Sequence, residues 1–221
     1  MSMESDRIDK VWIYGDSLST GTHGDGAYLE ALVREFDVAQ LHNFAVGSSG
    51  LSKITPNGML EIMERQIMEK TWENLEAPDL IFIWHGTNDW YWGTPVGSYK
   101  DEGGHGFIYS VGQAVGTLRR YFPSARIVWA TPIFRWEQPD GCDRAGDAFL
   151  LANKAGHTLY DYEKALEEAS RRYHFPLIDV GRTVNIHRYN EEDYLEDHVH
   201  PNRAGYERIE KILLRGIRKC L

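Results

Sequence analysis

The chain has 221 residues, of which 42% are hydrophobic, and this is enough to bury one continuous core. Its net charge of −9 argues against nucleic acid as a partner, because phosphate binding needs clustered Lys and Arg. No apolar stretch approaches the roughly 20 residues that span a bilayer, and no signal peptide is visible, so we expect a cytoplasmic protein. The cysteines Cys142 and Cys220 predict neither a disulfide framework nor a metal site.

Short apolar segments rich in β-branched and aromatic residues alternate with amphipathic stretches along the chain. The predicted strands are 11–14, 41–46, 80–84, 126–130 and 176–180. The predicted helices are 26–36, 58–73, 107–121, 159–174 and 202–219. This alternation predicts an α/β layered fold with a central parallel sheet of about five strands, in a single domain spanning residues 1–221.

Two stretches, 90–106 and 134–156, fit neither the strand pattern nor the helix pattern. Both are rich in Gly, Pro, Asp and aromatic residues, and each follows a predicted strand. Ligands of open parallel sheets bind beyond the carboxyl ends of the strands. We therefore expect both stretches to be long loops at the edge of the sheet that carries the site.

Four polar segments also follow predicted strands, at 15–19, 47–50, 86–89 and 197–202. The last of them comes between the fifth strand and the final helix. In a parallel sheet these segments converge in space although they are far apart in sequence. Acyl transfer needs a nucleophile, a base, an orienting group for the base and donors for an oxyanion. The four segments contain a residue for each of these tasks.

The predicted catalytic residues are Ser17, His200 and Asp197. Ser17 lies at a strand-to-helix turn, and a serine needs an adjacent base to take its proton. His200 is the candidate base, with Asp197 to hold its tautomer. The backbone N–H groups of Ser17 and Gly47, together with the Asn88 side-chain amide, are the predicted oxyanion hole.

Simpler interpretations remain for several of these residues. Ser17 could be only a helix N-cap, and Asn88 or Asp89 could cap a helix or a turn. For Asp89 we favour that structural role. His198 lies beside the proposed base, but the Asp-x-x-His-Pro spacing favours His200.

The same segments resemble the SGNH (GDSL) hydrolase superfamily, and the resemblance extends over residues 10–217. It rests on Gly-Asp-Ser-Leu at 15–18, the glycine at 47, Gly-Thr-Asn-Asp at 86–89 and Asp-x-x-His-Pro at 197–201. The resemblance implies a flavodoxin-like three-layer α/β/α fold. It also implies esterase, lipase, thioesterase or carbohydrate deacetylase activity without a metal or an organic cofactor.

The aromatic residues of the two long stretches indicate a substrate class. Trp90 and Trp92 follow the Asn88 segment, and Trp136 lies in the second stretch. Aromatic rings at the rim of a site stack on sugars or pack against acyl groups. We therefore expect a small ester with a short acyl group, such as an acetylated saccharide. The alternatives are that these rings pack within the domain, or against a second subunit in a homo-oligomer.

Other functions fit the sequence less well. A non-catalytic carbohydrate-binding domain on the same fold would lack a catalytic member, and a thioesterase or lysophospholipase would differ only in its substrate. A nucleotide-binding loop at 15–21 would lack both Gly-x-Gly-x-x-Gly and the Walker lysine. The spacing of His23, His105 and His157 matches no zinc motif. His85 could line the floor of the pocket or be a buried, hydrogen-bonded histidine, and we favour the second.

Overall fold

The computed structural model describes residues 7–101 and 105–221. The first six residues of the predicted domain, and residues 102–104 of the predicted 90–106 loop, therefore lie outside the described residues. The strands are β1 (Lys10–Gly15), β2 (Gln40–Asn43), β3 (Leu80–Trp84), β4 (Arg126–Ala130), β5 (Trp136–Glu137), β6 (Gly146–Asp147) and β7 (Leu177–Ile178). The helices are α1 (Leu29–Glu35), α2 (Met59–Met68), α3 (Thr87–Trp92), α4 (Phe107–Tyr121), α5 (Leu159–Tyr173), α6 (Val180–Thr183), α7 (Glu191–Tyr194) and α8 (Arg203–Arg218), with a short 3-10 helix at Trp72–Asn74.

Five of the strands form one parallel sheet in the order β2-β1-β3-β4-β7. The chain starts in the middle of the sheet, adds β2 on one side and then adds the remaining strands on the other. The predicted α/β fold with a central parallel sheet of five strands is confirmed. Because β2 and β3 lie on opposite sides of β1, the order in which strands are added reverses there. Open α/β sheets bind ligands at such a position, beyond the carboxyl ends of the strands.

The sheet is covered on both faces, because side chains of successive strand residues point in opposite directions. On β1, Trp12 and Tyr14 belong to one apolar cluster, which includes residues of α2, α4 and α5. Val11 and Ile13 belong to a second cluster, with residues of α1 and α8. The core is thus divided into two layers, and the sheet lies between them.

The last helix, α8, shows how the sequence determines these layers. Its buried residues Ile209, Leu213 and Ile217 are spaced four apart and form one apolar stripe. The Asn202 side chain accepts a hydrogen bond from the backbone N–H of Gly205, 3.0 Å away, and so caps the helix start. This helix begins directly after the segment with the candidate base, so its N-terminus fixes where that segment ends.

The structure differs from the sequence prediction mainly around the carboxyl edge of the sheet. β2 ends at Asn43 rather than at residue 46, although Val46 still donates a backbone hydrogen bond to Gly15. α3 begins inside the 86–89 segment, and the 134–156 stretch contains the paired strands β5 and β6. Within the described residues, none of the helices is both long enough and apolar enough to cross a membrane.

Candidate active site

The candidate nucleophile lies on a tight turn directly after β1. The Asp16 side chain accepts a hydrogen bond from Leu18 N at 3.0 Å, and the Asp16 carbonyl accepts one from Ser19 N at 2.9 Å. These two bonds reverse the chain and leave Ser17 partly exposed at the crest of the turn. Asp16 itself is fully buried, and burial raises its pKa to about 7.

Three side chains form a continuous hydrogen-bonded series at this turn. His200 Nε2 lies 2.9 Å from Ser17 Oγ, and His200 Nδ1 lies 2.7 Å from Asp197 Oδ2. The other carboxylate oxygen, Oδ1, accepts the backbone N–H of Val199 at 3.1 Å and that of His200 at 2.8 Å. Asp197 thus holds both the ring and the backbone of His200. Although partial burial opposes ionisation, these hydrogen bonds lower the pKa of Asp197.

The structure places His198 away from Ser17. Its backbone has a φ of 68°, in the left-handed region, and its side chain is 54% exposed. Its Nδ1 lies 3.2 Å from an oxygen of the buried Glu191 carboxylate, which also pairs with Arg188. His200, by contrast, is only 20% exposed in its side chain. Only His200 of the two therefore reaches the serine.

The three hydrogen-bond donors of the predicted oxyanion hole each have an N–H group without a protein acceptor among the described residues. Among the residues that the structure describes, the backbone N–H groups of Ser17 and Gly47 donate to no protein acceptor. The Asn88 amide nitrogen donates one of its two hydrogens to Ser49 O at 3.0 Å. Its second hydrogen has no protein acceptor among the described residues. Free N–H groups of this kind are what a developing oxyanion requires.

The α3 helix fastens the loop that carries Gly47. The Asp89 carboxylate accepts the backbone N–H groups of Leu51 at 2.8 Å and Ser52 at 3.2 Å. The Trp92 indole N–H donates to Ser48 O at 2.9 Å. Burial raises the pKa of Asp89 to about 6, although these backbone hydrogen bonds oppose the shift. The role of Asp89 in the structure is therefore to anchor this loop.

The start of α3 depends on a glycine. Gly86 has a φ of 129°, and a Cβ at this position would lie 3.0 Å from Pro132 Cγ. Residues with a side chain strongly disfavour this backbone conformation. The glycine therefore lets the chain turn directly from β3 into a helix whose first turn carries Asn88.

Arg135 is a site residue that the sequence analysis missed. It is buried, and its Nη1 donates to Thr87 O, Thr87 Oγ1 and Asn88 Oδ1 at 3.2, 3.0 and 3.3 Å. Its Nη2 pairs with Glu137. Burial lowers its pKa to about 10, so the guanidinium stays charged at neutral pH. A single arginine in a loop carries no sequence pattern that would have revealed this contact.

His85 lies beneath the loop that carries Gly47. It is buried at 2% exposure, and burial lowers its pKa to about 3 despite a hydrogen bond with the Ser49 backbone. The ring is therefore neutral at physiological pH. Its burial and its hydrogen bond agree with the expected buried, hydrogen-bonded histidine.

The three tryptophans that are predicted to contact the substrate differ in their exposure to solvent. Trp90 is fully buried, with its indole N–H donating to Leu151 O at 3.0 Å, so the prediction that it offers a face to substrate does not hold. It lies on the inner side of α3, a helix where the sequence pattern predicts the start of a loop. Trp92 and Trp136 are partly exposed. Trp136 donates its backbone N–H to His198 O at 2.9 Å, beside the candidate base.

His23, His105 and His157 do not come together as a metal site. Within the described ranges, no group of three or more His, Cys, Asp or Glu side chains is arranged to hold a metal ion. His23 lies instead against His200, and His157 lies edge-on to Tyr162, with ring centroids 6.3 Å apart.

Comparisons with known proteins agree with this fold. The GDSL-like lipase/acylhydrolase family matches residues 13–208 of the chain. A solved structure from Lactobacillus plantarum has a TM-score of 0.81 at 21% identity, covering 96% of this chain and 98% of that one. A protein from Chitinophaga pinensis, described as a possible lipase, has 0.65 at 20%, covering 95% and 98%. A lipase/acylhydrolase from Enterococcus faecalis has 0.63 at 17%, covering 96% of each chain. No curated protein sequence matches the chain significantly.

Proposed function

The chain belongs to the GDSL-like lipase/acylhydrolase family, and on this premise we propose that it is a serine ester hydrolase with Ser17 as its nucleophile. The observation that carries the proposal is the hydrogen-bonded series from Asp197 through His200 to Ser17. A serine hydroxyl is a weak nucleophile until an adjacent base takes its proton. In this series the base is within reach of the hydroxyl and is itself held by a carboxylate.

The first half of the reaction forms an acyl-enzyme. Ser17 Oγ attacks the ester carbonyl carbon while its proton passes to His200 Nε2. The carbonyl oxygen becomes an oxyanion, which accepts hydrogen bonds from Ser17 N–H, Gly47 N–H and Asn88 Nδ2. As the carbon–oxygen bond to the alcohol breaks, the proton on His200 passes to the departing alkoxide. The alcohol leaves, and the acyl group stays on Ser17.

The second half repeats these steps with water as the nucleophile. His200 takes a proton from the water, whose oxygen attacks the acyl carbon, and the same donors stabilise the second oxyanion. The bond to Ser17 Oγ then breaks, and the proton returns from His200 to the serine. The carboxylic acid leaves, and the enzyme is restored without an oxidant, a metal or an organic cofactor.

For the substrate we propose a small ester with a short acyl group, such as an acetylated saccharide. Two partly exposed tryptophans support this choice. Trp92 contacts the loop next to Gly47, and Trp136 contacts the segment next to His200. Aromatic faces of this kind stack on sugar rings, and bulky side chains near a reacting carbonyl restrict the acyl group.

A substrate panel tests this proposal. It contains p-nitrophenyl acetate, butyrate and octanoate, an acetylated oligosaccharide, an acetyl thioester and a lysophospholipid, with Ser17→Ala as the blank. We expect acetate esters and the oligosaccharide to give the highest kcat/KM. Preference for the thioester or the lysophospholipid would contradict the substrate but not the nucleophile.

The matched control for Ser17→Ala is Ser124→Ala. Ser124 is an exposed serine just before β4, at the opposite edge of the sheet. We expect this variant to hydrolyse the panel at the rate of the parent chain. Equal activity of Ser17→Ala and Ser124→Ala would contradict the assigned nucleophile, and binding of the saccharide without any hydrolysis would favour a carbohydrate-binding domain.

A further inference from the structure

The candidate base carries a second imidazole on one of its faces. The ring of His23 stacks on the ring of His200, with centroids 3.9 Å apart and planes inclined by only 7°. The His23 side chain is 26% exposed, and its ring covers one face of the His200 ring. His23 lies on the loop after Ser17, which makes this stack a direct link between the nucleophile loop and the base.

Glu196 holds the stack from the side. Its Oε2 lies 3.0 Å from His23 Nδ1, and its Oε1 accepts the backbone N–H of Gly24 at 3.1 Å. Its own backbone N–H donates to His200 O at 2.7 Å. The hydrogen bond with His23 lowers the pKa of Glu196, so the carboxylate is charged at neutral pH. Neighbouring residues 196 and 197 therefore each hold one ring of the stack.

These contacts restrict a motion that the catalytic series opposes only weakly. Hydrogen bonds at Nδ1 and Nε2 hold the ends of the His200 ring, but hydrogen bonds tolerate bending, so they resist rocking of the ring out of its plane less than they resist movement within it. A flat group against one face blocks that rocking by van der Waals contact. A nucleophile and its base must stay within hydrogen-bond reach for the proton to pass between them.

We propose that His23 is a positioning residue, which holds the plane of the His200 ring so that Nε2 stays directed at Ser17 Oγ. The inference rests on the proposed function and adds to it a residue outside the Ser-His-Asp series. His23 acts through His200 and does not touch the reacting carbonyl. Its effect therefore falls on the rate of proton transfer and not on substrate binding.

Two substitutions at His23 test whether the effect depends on a flat ring stacked on His200. His23→Ala removes the ring, and we expect kcat for p-nitrophenyl acetate to fall about 10-fold with KM unchanged within about twofold. His23→Phe keeps a flat ring without the hydrogen bond, and it should restore kcat to within about threefold of the parent chain.

The matched control is His42→Ala. His42 lies on β2, outside the site, and its ring also lies parallel to an aromatic neighbour, with centroids 6.2 Å from Phe44 and an interplanar angle of 9°. Its loss should leave kcat unchanged. Thermal unfolding of each variant checks that it is folded at the assay temperature, so that the kcat values compared are those of folded proteins.

A double-mutant cycle adds an independent readout. Glu196→Ala releases the His23 ring and Gly24 but keeps the backbone N–H that holds His200 O. We expect this variant to keep kcat within about threefold of the parent chain, as His23→Phe does, because the flat ring remains beside His200. Because both act through one contact, the double variant should be no slower than about twice the slower single variant. Multiplied effects would mean that the two residues act separately, and this would overturn the inference.

The rate at which a fluorophosphonate labels Ser17 tests the proposed nucleophile and the proposed role of His23 separately. An unlabelled parent chain would overturn the proposed function and this inference together. A labelled parent chain whose His23→Ala variant reacts at the same rate would overturn this inference alone. So would a His23→Phe variant as slow as His23→Ala, or a rise in KM at unchanged kcat, which would make His23 a substrate contact.

Discussion

Arg135 Nη1 lies 3.3 Å from Asn88 Oδ1, and this contact determines the orientation of the Asn88 amide. A guanidinium can only donate hydrogen bonds, so the amide oxygen turns toward Arg135 and the amide nitrogen turns away from it. The nitrogen then donates to Ser49 O and keeps one hydrogen, which is the one that we propose for the oxyanion. A buried charge on a loop after β4 thus orients a donor on a helix after β3.

We predict that Arg135→Lys lowers both activity and stability. Lysine keeps the charge but lacks the planar fork that reaches Thr87 and Asn88 together. The loss of orientation should reduce kcat by about 10-fold, measured on p-nitrophenyl acetate together with the melting temperature. Arg182→Lys, at an exposed arginine that pairs with three carboxylates away from the site, serves as the control. Full kcat in Arg135→Lys would show that Asn88 needs no such support.

We predict that Asn88→Ala reduces kcat while leaving KM nearly unchanged. The amide is offered to charge that exists only in the transition state, and removing one such donor costs about 100- to 1000-fold in turnover. Steady-state kinetics of Asn88→Ala and of Asn74→Ala, an exposed asparagine in the 3-10 helix, give the comparison. A loss of less than about threefold would exclude Asn88 from the oxyanion hole.

The neighbouring histidines give a third prediction. His200→Ala should abolish hydrolysis of p-nitrophenyl acetate, because the Ser17 hydroxyl then has no base within reach. His198→Ala should keep most of the activity, since its ring contacts Glu191 and not the serine. The two variants are compared at equal concentrations of folded protein. The reverse order of activities would assign the base to His198.

The buried Asp16 predicts how stability depends on pH. Its pKa is about 7 in the folded chain, against 3.8 for an unperturbed aspartate, because burial disfavours the charge. Between these values the folded state keeps a proton that the unfolded state has lost, so the free energy of unfolding falls as pH rises. The slope is at most about 1.4 kcal/mol per pH unit, or about 4 kcal/mol over the whole window.

Asp16→Asn tests this dependence. The amide oxygen can still accept the hydrogen bond from Leu18 N, but the side chain no longer titrates. Denaturant unfolding of both proteins between about pH 4 and pH 7 should show a flatter curve for Asp16→Asn. Burial also raises the pKa of Asp89, to about 6, but Asp89 is present in both proteins, so the difference between the two curves reports on Asp16 together with its interaction with Asp89. Parallel curves would mean that Asp16 is already charged near pH 4.

The sequence could predict the sheet and the segments at its edge, because both follow from local patterns. Apolar β-branched segments predict parallel strands, and the polar segments after them converge wherever such strands end. These patterns predict that Ser17, Gly47, Asn88 and His200 lie at one edge of the sheet, and the 2.9 Å distance between His200 Nε2 and Ser17 Oγ agrees with this for the nucleophile and the base.

What the sequence could not predict depends on contacts between distant residues or on unexpected helix. The six-residue helix α3 turns Trp90 inward. The sequence pattern predicts a loop at this position, and a loop does not determine which aromatic ring faces the solvent. Arg135 and Asn88 are 47 residues apart, and His23 and Glu196 are 173 apart. The hydrophobic periodicity of a sequence does not reveal pairs of this kind, because each pair forms only when two loops meet at the edge of a sheet.

Mass spectrometry after treatment with a fluorophosphonate tests whether Ser17 is the nucleophile. Such a reagent phosphonylates a serine only when an adjacent base makes the hydroxyl nucleophilic. We predict one adduct per chain, located on the peptide that contains Ser17 and absent from Ser17→Ala, with hydrolysis of p-nitrophenyl acetate lost in step with labelling. Active protein that carries no adduct on Ser17, or an adduct that persists in Ser17→Ala, would contradict the account.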